Sequence, residues 1–283
     1  MEDLISTKSL AQKYDLIAKR SLGQNFLFDP KITDKIASSA LEINGQNILE
    51  IGPGPAGLTR SILRQNPKSL VVIEQDQRVI PLLEEIKKYH SNLEIIHGDA
   101  LKTDTKKIFT QEEFKIIANL PYNIGTVLLF KWLEELVVGA ENKTLKSMTL
   151  LLQKEVVQRI VAGPGSKKYG RLSVMINFFC QTKSLFDIAP GSFVPAPKVT
   201  SSLVQIMPRE KPIAEVNYKT LSKIVETAFN QRRKMLRSAL KPLVADTENW
   251  LKNCNIDATK RAEQLSLEDF ANLAKTSNCH PER

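Results

Sequence analysis

The sequence has few of the residues that build metal and redox centres. Among its 283 residues cysteine occurs three times, at Cys180, Cys254 and Cys279, and never as a CxxC pair. Histidine also occurs three times, at His90, His97 and His280, in no metal-ligand spacing. These absences argue against a disulfide framework and against a zinc site, so no metal is expected. No N-terminal apolar segment is long enough for a signal peptide, and no stretch approaches a membrane span, so a cytoplasmic protein without a membrane partner is expected. Internal repeats and low-complexity segments are lacking as well.

Charge is what the chain has unevenly. The formal net charge is +9 and the sequence pI about 9.3, which suits a polyanionic partner. Residues 142–183 carry Lys143, Lys146, Lys154, Arg159, Lys167, Lys168, Arg171 and Lys183 against the single acid Glu155. Residues 229–241 carry Arg232, Arg233, Lys234, Arg237 and Lys241 against none. Over 74–114 acids outnumber bases, so the basicity is localised. The length allows one large domain, or a large and a small one.

The chain is organised around residues 47–59. A short apolar run interrupted by Glu50 breaks into a turn carrying Gly52, Gly54 and Gly57, then continues into a helical pattern. Strand, glycine turn and helix in that order form the βα entry of a nucleotide-binding α/β domain. A second apolar run ends at Glu74, 20 residues after Gly54, where a ribose hydroxyl needs an acceptor. Glu50 bears on the ligand. A carboxylate beside a pyrophosphate repels it, whereas a ligand with a sulfonium and an ammonium group tolerates one. Glu50 with Gly52 and Gly54 is similar to motif I of S-adenosylmethionine-dependent methyltransferases. A strand-end carboxylate paired with a nearby base is the competing reading.

Asp29-Pro30 marks a helix start, with Ile32, Ile36 and Ala40 as its buried stripe. Strands are expected at 70–74, 93–97, 114–119 and 148–153, and helices at about 77–88 and 125–136. That alternation predicts a Rossmann-like, doubly wound, mostly parallel α/β sheet. A late hairpin, around 185–188 and 199–207, closes it. Residues 208–212 read as a linker. From Thr220 one amphipathic helix is expected to run through Leu240, with Arg233, Lys234 and Arg237 pointing outward and Arg232 partly buried and paired. The expected division is an extension at 1–20, a catalytic domain at 21–210 and a small all-α domain at 211–283.

In a parallel sheet of this kind ligands bind beyond the carboxyl ends of the strands. Asp99 at the third such end either accepts from an adenine amine or caps a helix. At the fourth lies Asn119-Leu120-Pro121-Tyr122. A planar exocyclic amine is a poor nucleophile. An Asn oxygen and a backbone carbonyl that both accept from it favour its pyramidal form and aim its lone pair. Pro121 stiffens the turn, and Tyr122 offers a stacking face for an extruded base.

Five segments together resemble the family of small-subunit (16S) ribosomal RNA adenine N6,N6-dimethyltransferases: Leu22-Gly-Gln-Asn-Phe-Leu27, Glu50-Ile-Gly-Pro-Gly54, Asn119-Leu-Pro-Tyr122, Phe193-Val-Pro-Ala-Pro-Lys-Val-Thr-Ser201 and Phe229-Asn-Gln-Arg-Arg-Lys-Met-Leu-Arg237. The resemblance runs from about residue 19 to about 270; the first twenty residues and the tail after Asn278 match nothing in it. It implies S-adenosylmethionine as cofactor, S-adenosylhomocysteine as product and no metal. Asn25 and Leu27 would contact the cofactor, with Gly52 under its methionine part, Glu74 on its ribose and Asp99 on its adenine. Asn119 would stand between cofactor and substrate, and Tyr122 and Phe193 would sandwich the target base. The implied reaction is in-line displacement by adenine N6 without a strong general base. The implied partner is 16S ribosomal RNA within the 30S subunit or its precursor, met by a monomer.

With that partner, residues 163–171 read as a flexible loop whose Lys167, Lys168 and Arg171, with one aromatic ring, suit a phosphate backbone, as do Arg233 and Lys234. Three rivals remain. An Erm-type 23S methylase typically has Ser where Gly23 stands and Ile where Leu120 stands. A non-catalytic RNA-binding assembly factor would not need the intact motifs. A NAD-dependent dehydrogenase is disfavoured by Glu50.

Overall fold

The computed structural model describes residues 5–19, 22–110, 112–138 and 144–277. Lys143, Cys279, His280 and the ends of the expected N-terminal extension and C-terminal tail lie outside them. By their internal contacts these residues form two units. One runs up to Val157 and includes Lys183–Met207; the other comprises Gln158–Thr182 and the chain from Pro208 on.

The first unit opens with α1 (Thr7–Lys13), β1 (Phe26–Leu27) and α2 (Pro30–Ser38). Asp29 caps α2 through Lys31 N–H at 2.9 Å, with Pro30 in the first turn as expected. β2 (Asn47–Ile51), α3 (Gly57–Leu63), β3 (Ser69–Glu74), α4 (Ile80–Lys87), β4 (Leu93–His97), β5 (Phe114–Asn119), α5 (Gly125–Val138) and β6 (Leu145–Gln153) then alternate. α6 (Lys154–Ile160), α7 (Arg171–Phe179), β7 (Cys180–Ile188), β8 (Phe193–Val194) and β9 (Ser201–Pro208) follow.

Seven strands pair in the order β4-β3-β2-β5-β6-β9-β7. β2 pairs in parallel with β3 and β5, β3 with β4 and β5 with β6, while β9 is antiparallel to β6. This is the expected doubly wound, mostly parallel sheet. β2 and β3 are near-continuous apolar runs because helices cover both faces of a parallel sheet. Ile48, Leu70, Val72, Ile117, Leu151 and Leu203 join Ile36, Ile62, Leu82 and Ile86 from the helices in one core. The late strands β7 and β9 are neighbours, as the hairpin reading requires, but their connection contains β8, which pairs antiparallel with β1.

The second unit is mainly helical, takes in the first residues of β7, and includes Gln158–Thr182, which precede the expected boundary at 210/211. α7 belongs to it because Leu172, Val174, Met175, Ile176, Phe178 and Phe179 are buried nearly all round, and a helix without a polar face needs cover on several sides. α8 (Tyr218–Asn230) and α11 (Leu267–Thr276) provide it, with α9 (Leu236–Ala239) against α8 and α10 (Thr247–Asn253) against α9. Phe229 stacks on Phe270 at 6.0 Å and meets Tyr169 edge-to-face at 6.0 Å. The single helix expected through Leu240 is broken: α8 ends at Asn230, and Gln231 and Met235 have left helical geometry. A continuous helix would have turned Arg232 into the apolar side; the break releases it.

At Gly57 a Cβ would stand 2.8 Å from the Leu27 carbonyl oxygen, a backbone atom that cannot swing aside. Gly57→Ala should cost about 1–3 kcal/mol in urea unfolding. Gly163→Ala, with nothing within 4 Å of the added carbon, should stay within about 0.5 kcal/mol.

Candidate active site

The carboxyl ends of β2, β3, β4 and β5, together with β1 and the segment before it, enclose a cleft of about 320 Å³. Asn25, Leu27, Gly52, Glu74, Asp99, Asn119, Leu120, Pro121 and Tyr122 all line it, as does Glu50. Residues nearly a hundred positions apart are thus gathered by the crossover order of the sheet.

The glycine turn has few N–H groups to offer an anion. Gly52 N–H donates to the Ile73 carbonyl at 2.9 Å and Ala56 N–H to the Pro53 carbonyl at 3.0 Å. Gly54 N–H donates to Glu74 Oε2 at 3.1 Å, and Pro53 and Pro55 have none. A pyrophosphate site needs such groups pointed outward. This turn is built for a ligand without one.

Glu74 is buried and accepts from Asp76 N–H at 2.8 Å as well as from Gly54. Burial raises its pKa against the pull of those backbone donors. Glu50 is more isolated: fully buried, with Oε2 lacking any hydrogen-bond partner. Burial pushes its carboxyl up to about 8, and the like charge of Glu74 acts in the same direction. Among the described residues no base is seen paired with it, in contrast to the strand-end ion pair of the competing reading. An orphaned buried carboxyl oxygen on a cleft wall fits a ligand that brings positive charge or N–H donors, and both features of the turn fit S-adenosylmethionine better than a dinucleotide.

Asp99 closes a turn rather than capping a helix, and it lines the cleft. Oδ1 accepts from Leu101 N–H at 2.9 Å, as a turn-capping residue does, and the half-buried carboxylate still faces the cleft. Asn119 is oriented by its neighbour across the cleft: Nδ2 donates to the Asn25 carbonyl at 3.2 Å, which leaves Oδ1 as the atom facing a substrate amine. Pro121 O is engaged by the N–H groups of Ile124 and Gly125, both at 3.2 Å. Tyr122 is half-buried and its hydroxyl is hydrogen-bonded to Ser201 Oγ, a partner not foreseen from sequence.

Phe193 is outside the cleft lining. It pairs through β8 with Leu27, is 2% exposed and belongs to the core. Lys167, Lys168, Arg233 and Lys234 are in the second unit, all exposed. There Arg232 pairs with Glu263 at 2.8 Å and donates to the Lys167 carbonyl at 2.6 Å, while Gly165 N–H donates to the Glu263 carbonyl at 2.7 Å. Arg232 is paired as expected but is an exposed side chain, at 42%, rather than a partly buried one. Its effect is to join two basic segments more than sixty residues apart. Tyr169, the aromatic ring expected to meet RNA, is buried against Phe229 instead, and the loop is tied down at both Gly165 and Lys167.

Among the described residues no helix is long and apolar enough to cross a membrane, and no three His, Cys, Asp or Glu are grouped to hold a metal ion.

Comparison with known proteins gives consistent results. The sequence profile of the ribosomal RNA adenine dimethylase family matches residues 16–278. A ribosomal RNA small subunit methyltransferase A of Afipia carboxidovorans is 46% identical over 97% of this chain and 96% of its own. The crystal structure of a dimethyladenosine transferase from Plasmodium falciparum is 28% identical with a TM-score of 0.71, over 88% of this chain and 95% of that one. The 23S rRNA methyltransferase ErmE shares the fold at 23% identity and a TM-score of 0.67, over 89% and 98%.

The state of Glu50 has a pH signature. Between its ordinary value of 4.5 and about 8 the folded chain keeps a proton that the unfolded chain has released. Its contribution to stability is therefore fully present at low pH and declines as pH rises through that window. Glu50→Gln should remove the decline, changing the slope of unfolding free energy by up to about 1.4 kcal/mol per pH unit in urea titrations. An unchanged slope would mean that Glu50 is ionised in the fold.

Proposed function

The chain belongs to the ribosomal RNA adenine dimethylase family, and from that premise we propose its substrate, methyl donor and site roles. It is a methyltransferase acting on ribosomal RNA adenine. The proposed substrate is a pair of adjacent adenosines near the 3′ end of 16S ribosomal RNA, in the small subunit or its precursor, each dimethylated at N6. The proposed donor is S-adenosylmethionine, and we infer a monomer working in the cytoplasm. The observation that carries the reading is Asn119, whose amide nitrogen is held by Asn25 so that its oxygen is left for an amine.

The donor's chemistry, when bound, is an electrophilic methyl on a sulfonium that departs as S-adenosylhomocysteine. The chain's own residues do the positioning. Glu74 offers the lone pairs not used by Gly54 and Asp76 to the ribose hydroxyls. Asp99 offers its second oxygen to the cofactor's adenine. Asn25, Leu27 and Gly52 shape the walls around the methionine part, and Glu50 offers an unpartnered carboxyl oxygen beneath it.

Asn119 Oδ1 and the Leu120 carbonyl accept from the target amine, the Pro121 carbonyl being engaged elsewhere. Two fixed acceptors stabilise the pyramidal amine as it attacks, without reorganisation at the moment of transfer. No strong base is required; the proton leaves through Asn119 and water. Tyr122 stacks on one face of the extruded base, at an unstacking cost of a few kcal/mol for the RNA. Phe193 serves the other face only if its ring leaves the core it shares with Leu27. Lys167, Lys168, Arg233 and Lys234, on segments joined by Arg232, meet phosphates.

The direct experiment incubates the protein with labelled S-adenosylmethionine and undermethylated small subunits, then maps the label. Label at N6 of two adjacent adenosines is expected; label confined to large-subunit RNA would make it an Erm-type enzyme, and none would leave a binding factor. Asn119→Ala should lower kcat far more than it weakens RNA affinity, because its main interaction strengthens as the amine pyramidalises. Replacing Lys167, Lys168, Arg233 and Lys234 by Ala should reduce the salt slope of subunit binding by about 0.7–0.9 per lost phosphate contact, leaving cofactor affinity unchanged. A wild-type slope would sink the basic-patch assignment.

A further inference from the structure

The cleft is held in shape by a buried carboxylate that neither the motifs nor the proposed chemistry uses. Asp76 follows Glu74 by two residues, and its side chain is almost wholly out of water. It accepts from Arg78 three times, from Nη2 at 2.6 Å, Nε at 3.0 Å and the backbone N–H at 3.2 Å. It also accepts from Gln24 Nε2 at 3.0 Å. The Arg78 guanidinium holds its carboxyl down at about 2, so it is a permanent anion.

The partners of Asp76 reach one segment. Gln24 Oε1 accepts from Lys19 N–H at 2.8 Å, and Arg78 Nη1 donates to the Ile17 carbonyl at 3.1 Å. Three points on the chain preceding β1 are thus tied, directly or through one side chain, to the end of β3. Gln24 is followed by Asn25, whose carbonyl receives the Asn119 amide. On its other side Asp76 donates its own N–H to Glu74 Oε1. One buried anion therefore has a bond toward the ribose acceptor and a two-step connection to the residue that aims the nucleophile.

We propose that Asp76 is a positioning residue of the methyl-transfer site, acting through Gln24 to fix the Asn25 carbonyl and thereby the Asn119 amide. The inference rests on the methyltransferase reading above. A charge-assisted acceptor suits this task because it fastens Gln24, the residue before Asn25, to the end of β3, and a misplaced Asn25 carbonyl would let the Asn119 amide rotate its nitrogen toward the substrate. Arg78 neutralises the anion, so Asp76 adds no repulsion to the acids Glu50, Glu74 and Asp99 already lining the cleft.

The test measures S-adenosylmethionine affinity by calorimetry, kcat on undermethylated small subunits and melting temperature. The proteins are the full-length wild type, Asp76→Asn, Gln24→Met, Asn119→Ala and the Asp76→Asn/Asn119→Ala double variant. Asp76→Asn should reduce kcat about tenfold or more, and Gln24→Met, which leaves Asp76 and Arg78 paired, should reproduce most of that loss with a wild-type melting temperature. In the double variant kcat should equal that of Asn119→Ala alone, because Asp76 acts through Asn119. Losses that multiply in a double variant whose melting temperature matches the wild type, or Gln24→Met with wild-type kcat, would overturn the proposal, and the second outcome does not depend on how well Asp76→Asn folds. Wild-type protein that neither binds the cofactor nor transfers methyl would instead overturn the functional reading itself.

Discussion

Glu74 at the carboxyl end of β3 is a carboxylate with little water around it, and an acid in that position stays in place only if donors are brought to it. Two backbone N–H groups do so, one from Gly54 and one from Asp76. The bond to Gly54 closes the turn after β2, and it requires the left-handed backbone that Gly54 supplies at φ +53, with the Phe26 ring 3.1 Å from where a Cβ would be. The same bond removes an N–H from the set that would otherwise hold a phosphate. The geometry of the turn and the class of ligand it accepts are therefore one constraint. Glu50 extends it, since a second buried acid beside Glu74 makes the site hostile to anions and receptive to positive charge.

The remaining cleft residues are arranged by donation and acceptance rather than by general acid–base strength. Asn119 has one end of its amide engaged by Asn25, Pro121 has its carbonyl engaged by the start of α5, and Tyr122 has its hydroxyl engaged by Ser201. Each engagement removes a degree of freedom that would have to be lost during the reaction. For a displacement with a sulfonium leaving group, where positioning is the main requirement, this is the expected economy of means.

The two units differ in charge as their roles differ. Acids concentrate around the cleft of the first. In the second, Arg232 is withdrawn from any direct role by Glu263 and the Lys167 carbonyl, and this pairing sets the neighbouring bases on joined segments. A salt bridge this exposed contributes little stability by itself. Its consequence is geometric, because the break after Asn230 that frees Arg232 also ends the helix on which those bases would have been spread.

Sequence alone determined the alternation of strands and helices from β2 to β6, the strand ends that form the cleft and nine of its lining residues. Buried parallel strands are written as apolar runs, and the glycine turn, Glu74, Asp99 and Asn119 all follow such runs directly, so spacing was sufficient to find them. It also carried the family, through five motifs spread over most of the chain. What it did not contain was any pairing between distant segments. Whether Asp99 caps a turn or faces the cleft was undecidable from spacing, and the fold has it do both. Phe193 and Tyr169 carry aromatic rings that a linear reading assigns to RNA, yet burial is set by what packs over a ring, and the core shared with Leu27 covers one and Phe229 the other. The membership of α7 in the helical unit, the break before Arg232 and the bonds from Asp76 to Gln24 and from Ser201 to Tyr122 all join residues tens of positions apart. Such contacts leave no local pattern, so only the tertiary structure decided them.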